Sequence, residues 1–147
     1  MTTNKKIAEN KEEKLRGFAV IINSILGPLN KNIKFQREFK NVDAKILLNI
    51  PNLNNAVMII IFHGSVKIKS IPNKPKTNLK KKNIGWNAFL EINSQTFLTL
   101  AISKISLLKV TKLWISRKIK IRGIKKLLLL LKMLRILIEH SEFKIGN

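Results

Sequence analysis

The amino-acid sequence predicts an α+β fold: a five-stranded mixed sheet, made of a three-strand meander and two later strands, covered on one face by helices. Apolar residues alternate with a period of two in the middle of the chain, whereas towards both ends they recur every three or four positions. Turn-forming residues separate these segments. The 147 residues suffice for a single domain, which we place at 1–147 with a core at about 15–138 between polar tails.

Two helices are predicted before the sheet. Residues 9–29 carry apolar side chains at helical spacing, and Gly27 with Pro28 should end this helix because proline removes a backbone donor. A second, shorter helix is predicted at 33–41, where apolar residues again lie on one side.

The meander is predicted from three consecutive segments. Residues 44–50 alternate between apolar and polar, and Pro51 closes that strand. Residues 56–62 are rich in β-branched side chains and predict a buried strand. A tight turn at 63–65 then leads into the alternating strand 66–71.

The second half of the chain supplies the remaining elements. In order they are a basic loop (72–83), a fourth strand (84–92), a helix capped by Asn93 and Ser94 and ending near Ser103, a helical segment (107–114), a fifth strand (117–123) and a closing helix (124–138). Alternation along the fourth strand predicts that Trp86 shares a face with Ala88 and Leu90.

The charge of the chain is strongly positive and unevenly placed. There are 29 Lys and Arg against 8 Asp and Glu, a net charge of +21, and Glu91 is the single acid between Ala44 and Ile138. Such a surface attracts polyanions, either nucleic acid or an anionic membrane. The side chains expected to face the anion are Lys67, Lys69, Lys80, Lys81, Lys82, Lys118, Lys120 and Arg122. The alternative is compositional drift, because Ile, Lys and Asn supply 63 of the residues.

Catalytic, metal-binding and cofactor-binding functions are not predicted. The chain has one aspartate, two histidines, no tyrosine and no cysteine, so few groups are available for acid–base, nucleophilic or metal chemistry. His63 lies in a predicted turn, and no glycine-rich phosphate loop is present. We therefore expect a protein that is not an enzyme, with no catalytic residue, metal or cofactor. Aromatic residues are few, which disfavours nucleic acid as the partner.

A cytoplasmic location is the default expectation. The first 14 residues are polar and contain three glutamates, which argues against a signal peptide. The most apolar stretch, 124–138, is interrupted by Lys132 and Arg135 and is shorter than the roughly 20 residues that cross a bilayer.

The closing helix needs more than one apolar partner. Its polar side chains Lys125, Lys132, Arg135 and Glu139 form a narrow stripe, and almost every other position is Leu, Ile or Met. A surface helix normally buries a stripe about 100° wide. The remaining apolar surface should contact the middle helices, a membrane, another subunit or a bound lipid, unless this is an ordinary core helix.

Three segments together resemble the sterol carrier protein type two family. They are TFLTLAISKI (96–105), RKIKIRG (117–123) and the leucine-rich helix that follows. The matching residues are Phe97, Leu98, Lys104, Ile105, Lys118, Ile119, Lys120, Ile121, Gly123, Met133 and Leu134. The resemblance implies non-enzymatic binding and carriage of a sterol, fatty acid, acyl-CoA or prenyl lipid. The alternative is a basic nucleic-acid-binding or membrane-surface protein that encloses no ligand.

The resemblance also implies where the ligand lies, in an apolar cavity between the sheet and the helices. The residues expected to line it are Trp86, Phe97, Leu100, Ala101, Ile105, Leu113, Trp114, Leu127, Leu130, Leu131 and Leu134. The bulky run Leu127–Leu131 predicts a cavity narrower than in the family, or closed, because large side chains fill the space that small ones leave.

Overall fold

In a computed structural model of the protein, residues 17–97 and 119–145 are described, together with the single positions Leu15 and Lys112. Side chains are described up to His140. The helices and strands are α1 (Phe18–Leu26), α2 (Ile33–Glu38), β1 (Asp43–Asn49), β2 (Asn55–Phe62), β3 (Ser65–Pro72), α3 (Lys81–Ile84), β4 (Ala88–Glu91), β5 (Lys120–Arg122) and α4 (Ile124–Ile145). Short 3₁₀ helices cover Gly27–Lys31 and Lys76–Leu79.

The five strands of the described residues form one mixed sheet in the order β3-β2-β1-β4-β5. β1, β2 and β3 are an antiparallel meander, β4 runs parallel to β1, and β5 runs antiparallel to β4. The predicted α+β class and five-stranded mixed sheet are therefore confirmed. The two later strands are shorter than predicted, at Ala88–Glu91 and Lys120–Arg122.

His63 and Gly64 form the predicted tight turn between β2 and β3. Both have positive φ angles, 47° and 79°, and the flanking Phe62 and Ser65 are register partners. Two successive positive φ angles are typical of a hairpin turn whose twist matches that of the strands. The turn thereby holds the register that places alternate residues of both strands on common faces.

One face of the sheet is covered by α1, α2 and α4, and we call it the helix face. The strand residues buried there are Ala44, Ile46, Leu48, Val57, Ile59, Ile61, Val66, Ile68, Ala88 and Leu90. Ile22 of α1 and Phe35 of α2 are almost fully buried against them. Because a fully buried side chain of this kind contributes about 1.5–3 kcal/mol, this layer holds the domain together.

The opposite face of the sheet, which we call the basic face, carries a smaller apolar cluster and a set of cations. The buried cluster consists of Leu47, Ala56, Met58, Leu79 and Trp86. The exposed cations at strand positions of this face are Lys45, Lys67, Lys69, Lys120 and Arg122. The pleat explains the division, since successive side chains point to opposite faces.

The connection between β3 and β4, residues 73–87, crosses the basic face. β3 and β4 lie on opposite sides of the β2–β1 pair, and Leu79 and Trp86 of the connection are buried with residues of that face. The segment predicted as a plain basic loop therefore contains a 3₁₀ turn and α3, and it serves as a cover.

Trp86 lies on the basic face, which corrects the prediction that it shares the helix face with Ala88. After α3, Gly85 adopts a left-handed conformation with φ of 66°, so regular alternation begins only at Ala88. The Trp86 indole N–H donates to the carbonyl oxygen of Leu79 at 2.9 Å, and its ring packs on Phe89 at 5.5 Å between centroids. Trp86 therefore packs with the apolar cluster of the basic face and not with the core on the helix face.

Other boundaries differ less from the predictions. α1 is described from Phe18, and α4 continues to Ile145, beyond the predicted end at 138. Asn93 caps a helical turn at 94–97, because its Oδ1 atom accepts the backbone N–H of Gln95 at 2.8 Å. The rest of the predicted middle helices, to Ser103 and over 107–114, lies outside the described residues apart from Lys112.

Candidate functional site

Gly123 sets the position of α4 on the sheet. It joins β5 to α4 with a positive φ of 70°, and its carbonyl oxygen accepts the backbone N–H of Leu127 at 3.1 Å. A Cβ atom at this position would overlap the carbonyl oxygen of Asn87. Glycine therefore allows the chain to turn from strand to helix while it lies directly against the residues that begin β4.

α4 packs one side against the helix face. The residues buried along it are Leu127, Leu130, Met133, Leu134 and Ile136. They belong to the same core as Ala88 and Leu90 of β4. Three of the predicted ligand-binding residues, Leu127, Leu130 and Leu134, therefore lie between α4 and the sheet, in contact with the main core.

Phe97 connects the helical turn at 94–97 to α1. Its buried ring meets the ring of Phe18 edge to face, with 5.4 Å between centroids. Edge-to-face contacts of this kind stabilise a core beyond the area that they bury. A fourth predicted ligand-binding residue thus lies on the helix face.

The remaining predicted ligand-binding residues are not all placed. Leu131 is half-buried on α4. Those outside the described residues are Leu100, Ala101, Ile105, Leu113 and Trp114, and so is Lys118 of the predicted anion-facing set. The described part of the site is therefore its sheet and α4 side.

A groove separates α2 from α4, and Leu131 lies in it. The groove has a volume of about 340 Å³ and is lined by Lys34, Glu38, Leu128, Leu131, Lys132, Arg135, Ile136 and Glu139. A neighbouring groove of about 380 Å³ shares Lys34, Ile136 and Glu139 with it. Leucine and isoleucine side chains line the first groove beside charged ones.

Two ion pairs bridge this groove. Lys34 of α2 contacts Glu139 of α4 at 2.7 Å, and Lys132 of α4 contacts Glu38 of α2 at 3.5 Å. The Lys132 ammonium also lies 5.4 Å from the centre of the Phe39 ring. These contacts were not predicted, although Lys34 and Glu38 are four residues apart and therefore on one side of a helix.

The stronger ion pair changes the pKa of both partners. The side-chain hydrogen bond with Glu139, and then its negative charge, raises the pKa of Lys34 above its ordinary value. The hydrogen bond with Lys34, followed by the charge of Lys34, lowers the pKa of Glu139. Both groups are at the surface, so solvent screens the interaction and its contribution to stability is small.

The pair predicts a pH-dependent contribution to stability. The Glu139 contribution is complete above the ordinary carboxyl pKa of 4.5 and disappears as pH falls through the lowered pKa. The Lys34 contribution is complete below the ordinary ammonium pKa of 10.5 and disappears as pH rises through the raised pKa. Thermal unfolding of Glu139→Gln and of the unsubstituted protein should therefore differ slightly near neutral pH and converge in acid. A Tm difference that persists in acid would contradict the ion pair.

The described residues of the predicted anion-facing set share the basic face of the sheet, opposite the face that the helices cover. Lys67 and Lys69 are on β3 and Lys120 and Arg122 are on β5, at the two edges of the basic face, and all are exposed. The lysines of the 73–87 cover are exposed as well: Lys74, Lys76, Lys80, Lys81 and Lys82. The thickness of the sheet thus separates these predicted anion-facing cations from the apolar layer, whereas Lys34, Lys132 and Arg135 are on the helix side.

The described residues offer neither a metal-binding cluster nor a membrane-spanning helix. Among them, no three His, Cys, Asp or Glu side chains are grouped so as to hold a metal ion. Within the same residues, no helix combines the length and apolar character needed to cross a bilayer.

Comparisons with known proteins identify the fold. Neither a scan of protein families nor a search of curated proteins found a match. Among solved structures, the chain is similar to UbiJ-SCP2, described as a ubiquinone synthesis protein, with a TM-score of 0.59 and 10% sequence identity over 82% of this chain and 95% of that one. The fold is SCP2-like. The resemblance stated from the sequence is thereby confirmed at the level of the fold.

A second structure is similar to part of the SCP2-like domain. It is a stereoselective inverting sec-alkylsulfatase from a Pseudomonas species, with a TM-score of 0.49 and 13% identity over 69% of this chain and 14% of that chain.

Proposed function

We propose that the protein binds a lipid or another hydrophobic molecule on the helix face of the sheet and carries it without chemical change. The observation that carries the proposal is the SCP2-like fold, in which α4 lays a leucine-rich side against the sheet. The ligand classes are a sterol, a fatty acid, an acyl-CoA or a prenyl lipid. Prenyl lipids are the first to test, because the similar structure is named for ubiquinone synthesis.

The energetics of an apolar chain favour such a site. Each buried methylene contributes about 0.8 kcal/mol, so a long chain binds without a polar anchor. Met133 and Leu130 are tightly packed against the sheet, whereas Leu131 is half-buried and Leu128 is exposed beside the groove. We place the entrance of the ligand at this groove between α2 and α4.

The proposal includes the expectation that the protein catalyses no reaction of its ligand. His63 lies in the β2–β3 turn, where its Nδ1 atom is 3.1 Å from the carbonyl oxygen of Lys40, and this contact gives it a structural role. Incubation with an acyl-CoA or a lipid ester, followed by mass spectrometry, should return the compound unchanged. Protein-dependent product formation would contradict a carrier.

Ligand binding is tested by extraction and titration. Lipid extracted from the purified protein, identified by mass spectrometry, should contain a co-purifying apolar molecule. A fluorescent fatty acid or prenyl probe should then bind saturably and independently of salt. Leu131→Lys should weaken probe binding by roughly tenfold or more, since it removes a contact worth about 1.5–3 kcal/mol when fully buried.

Val20→Lys is the matched control, because it adds the same charge at an exposed apolar position of α1 that does not line the groove. It should leave probe binding unchanged. The carrier proposal fails if no lipid co-purifies and the two variants bind the probe equally. Binding that weakens with salt would instead indicate attraction to the charge of the chain.

A further inference from the structure

The basic face is a broad cationic surface with little compensating charge. Its strand cations lie in adjoining positions: Lys67 pairs in register with Ile60, which pairs in turn with Lys45. At the other edge, Arg122 pairs with Phe89, which lies beside Leu47. The cover adds five exposed lysines between these edges: Lys74, Lys76, Lys80, Lys81 and Lys82.

The acidic groups do not neutralise this face. Glu38 and Glu139 are on the helix side and each contacts a lysine there. Glu91 is on the basic face but is half-buried, and it accepts a hydrogen bond from Asn49 at 3.0 Å and contacts Lys120 at 3.6 Å. Asp43, at the start of β1, is exposed on the basic face in register with Phe62. Asp43 and Glu91 are therefore the acids that oppose the ten exposed cations named on this face.

One large apolar side chain projects from the same face. Phe62 is 54% exposed at the end of β2, and Ile60, two residues before it, is half-buried between Lys45 and Lys67. The register partners of Phe62 are Asp43 and Ser65, and Lys45 and Lys67 lie two residues further along the same neighbouring strands. An exposed aromatic side chain with a lysine at this distance on both sides matches the interface of an anionic bilayer. The ring enters the boundary between headgroups and acyl chains while the ammonium groups contact phosphate and carboxylate.

Trp86, the one aromatic residue of the cover, does not favour nucleic acid. Single-stranded nucleic acid binds to aromatic rings whose faces are free for stacking. Trp86 is buried, its indole N–H is bonded to Leu79, and the Lys81 ammonium lies over its ring at 5.6 Å. The ring is therefore occupied by the protein itself.

We propose that the basic face docks on an anionic phospholipid membrane, with Phe62 inserted at the interface and α4 directed away from the bilayer. This inference does not rest on the carrier function, because the sheet separates the two surfaces. Membrane docking and probe binding should therefore be lost through different substitutions.

The test is co-sedimentation of the full chain with vesicles at physiological ionic strength. One set contains phosphatidylcholine alone and the other contains equal parts of phosphatidylcholine and phosphatidylserine. We expect strong binding to the second set only. Lys67→Gln combined with Lys69→Gln should weaken it roughly thirtyfold, since each near-surface lysine contributes about fivefold. Phe62→Ser should weaken it by roughly tenfold.

The matched control is Lys31→Gln combined with Arg37→Gln, which removes the same charge from exposed positions on the helix side. Its affinity for vesicles should stay within about twofold of the unsubstituted protein, because charges on the far side are screened over a Debye length of about 8 Å. Equal losses in the two double variants would overturn the proposal. Equal binding of the protein to both vesicle sets would also overturn it. So would tighter binding to a DNA duplex than to anionic vesicles, if the substitution Phe62→Ser left the affinity for DNA unchanged.

Discussion

Replacing Gly123 by alanine should destabilise the domain by about 2–4 kcal/mol, measured by urea unfolding. The residue has a left-handed backbone conformation, in which an L side chain costs about 1–2 kcal/mol. In addition, the new methyl group would overlap the backbone carbonyl of Asn87. Because the backbone has to move to relieve that overlap, β5 and α4 should shift away from β4. The Gly123→Ala variant should therefore also bind the fluorescent probe more weakly.

Gly85→Ala separates the two causes. Gly85 has nearly the same φ, 66° against 70°, but a Cβ atom there would meet nothing within 4 Å. Gly85→Ala should therefore cost only the conformational part, about 1–2 kcal/mol. Equal losses at Gly85 and Gly123 would contradict the close approach of Gly123 to the residues that begin β4.

Leu130→Ala should cost about 2–5 kcal/mol, whereas Leu128→Ala should change stability by no more than about 0.5 kcal/mol. The two residues are of one type and two positions apart on α4, but Leu130 is 4% exposed and Leu128 is 46% exposed. Truncation at Leu130 leaves a cavity between α4 and the sheet, while truncation at Leu128 exposes little that was covered.

Chemical unfolding of both variants, with circular dichroism to confirm the native fold, measures this difference. A loss at Leu130 no larger than that at Leu128 would show that the buried side of α4 has been assigned incorrectly. The same two variants can be compared for binding of the fluorescent probe, because Leu128 lines the groove and Leu130 does not.

Much of the sheet follows from local sequence. The β-branched run in β2, the alternation in β1 and β3 and the turn at His63 and Gly64 act over neighbouring residues, and all three agree with the structure. The N-cap at Asn93 is likewise a local feature, since it joins Asn93 to the backbone of Gln95 two residues later. Such features are predictable because each depends on few residues close together in the chain.

The position of Trp86 could not be predicted from the local sequence pattern. Alternation extended backwards from Ala88 put it on the helix face, but the left-handed Gly85 interrupts the strand period. The path of 73–87 across the sheet depends on strand order, which no local pattern of residues encodes. A tryptophan in a connecting segment is therefore weak support for a ligand cavity.

Sequence patterns also account for only some features of the candidate site. Leu127, Leu130 and Leu134, which the resemblance implies as ligand-lining, lie on the buried side of α4, whereas Leu131 is half-buried. The contact between Lys34 and Glu139 joins residues 105 positions apart, and it depends on how α2 and α4 pack. Sequence patterns alone do not predict such a contact.

The strand order has a consequence for how the chain reaches its native state. β1 lies in the middle of the sheet, yet β2, β3 and the 73–87 cover separate it along the chain from its second neighbour, β4. Pairings between distant segments form late because loop closure costs entropy before any contact is made. During synthesis, the open edge of β1 and the apolar side of the meander should thus stay accessible until β4 and α4 emerge, and chaperones that bind unpaired strands should recognise this interval.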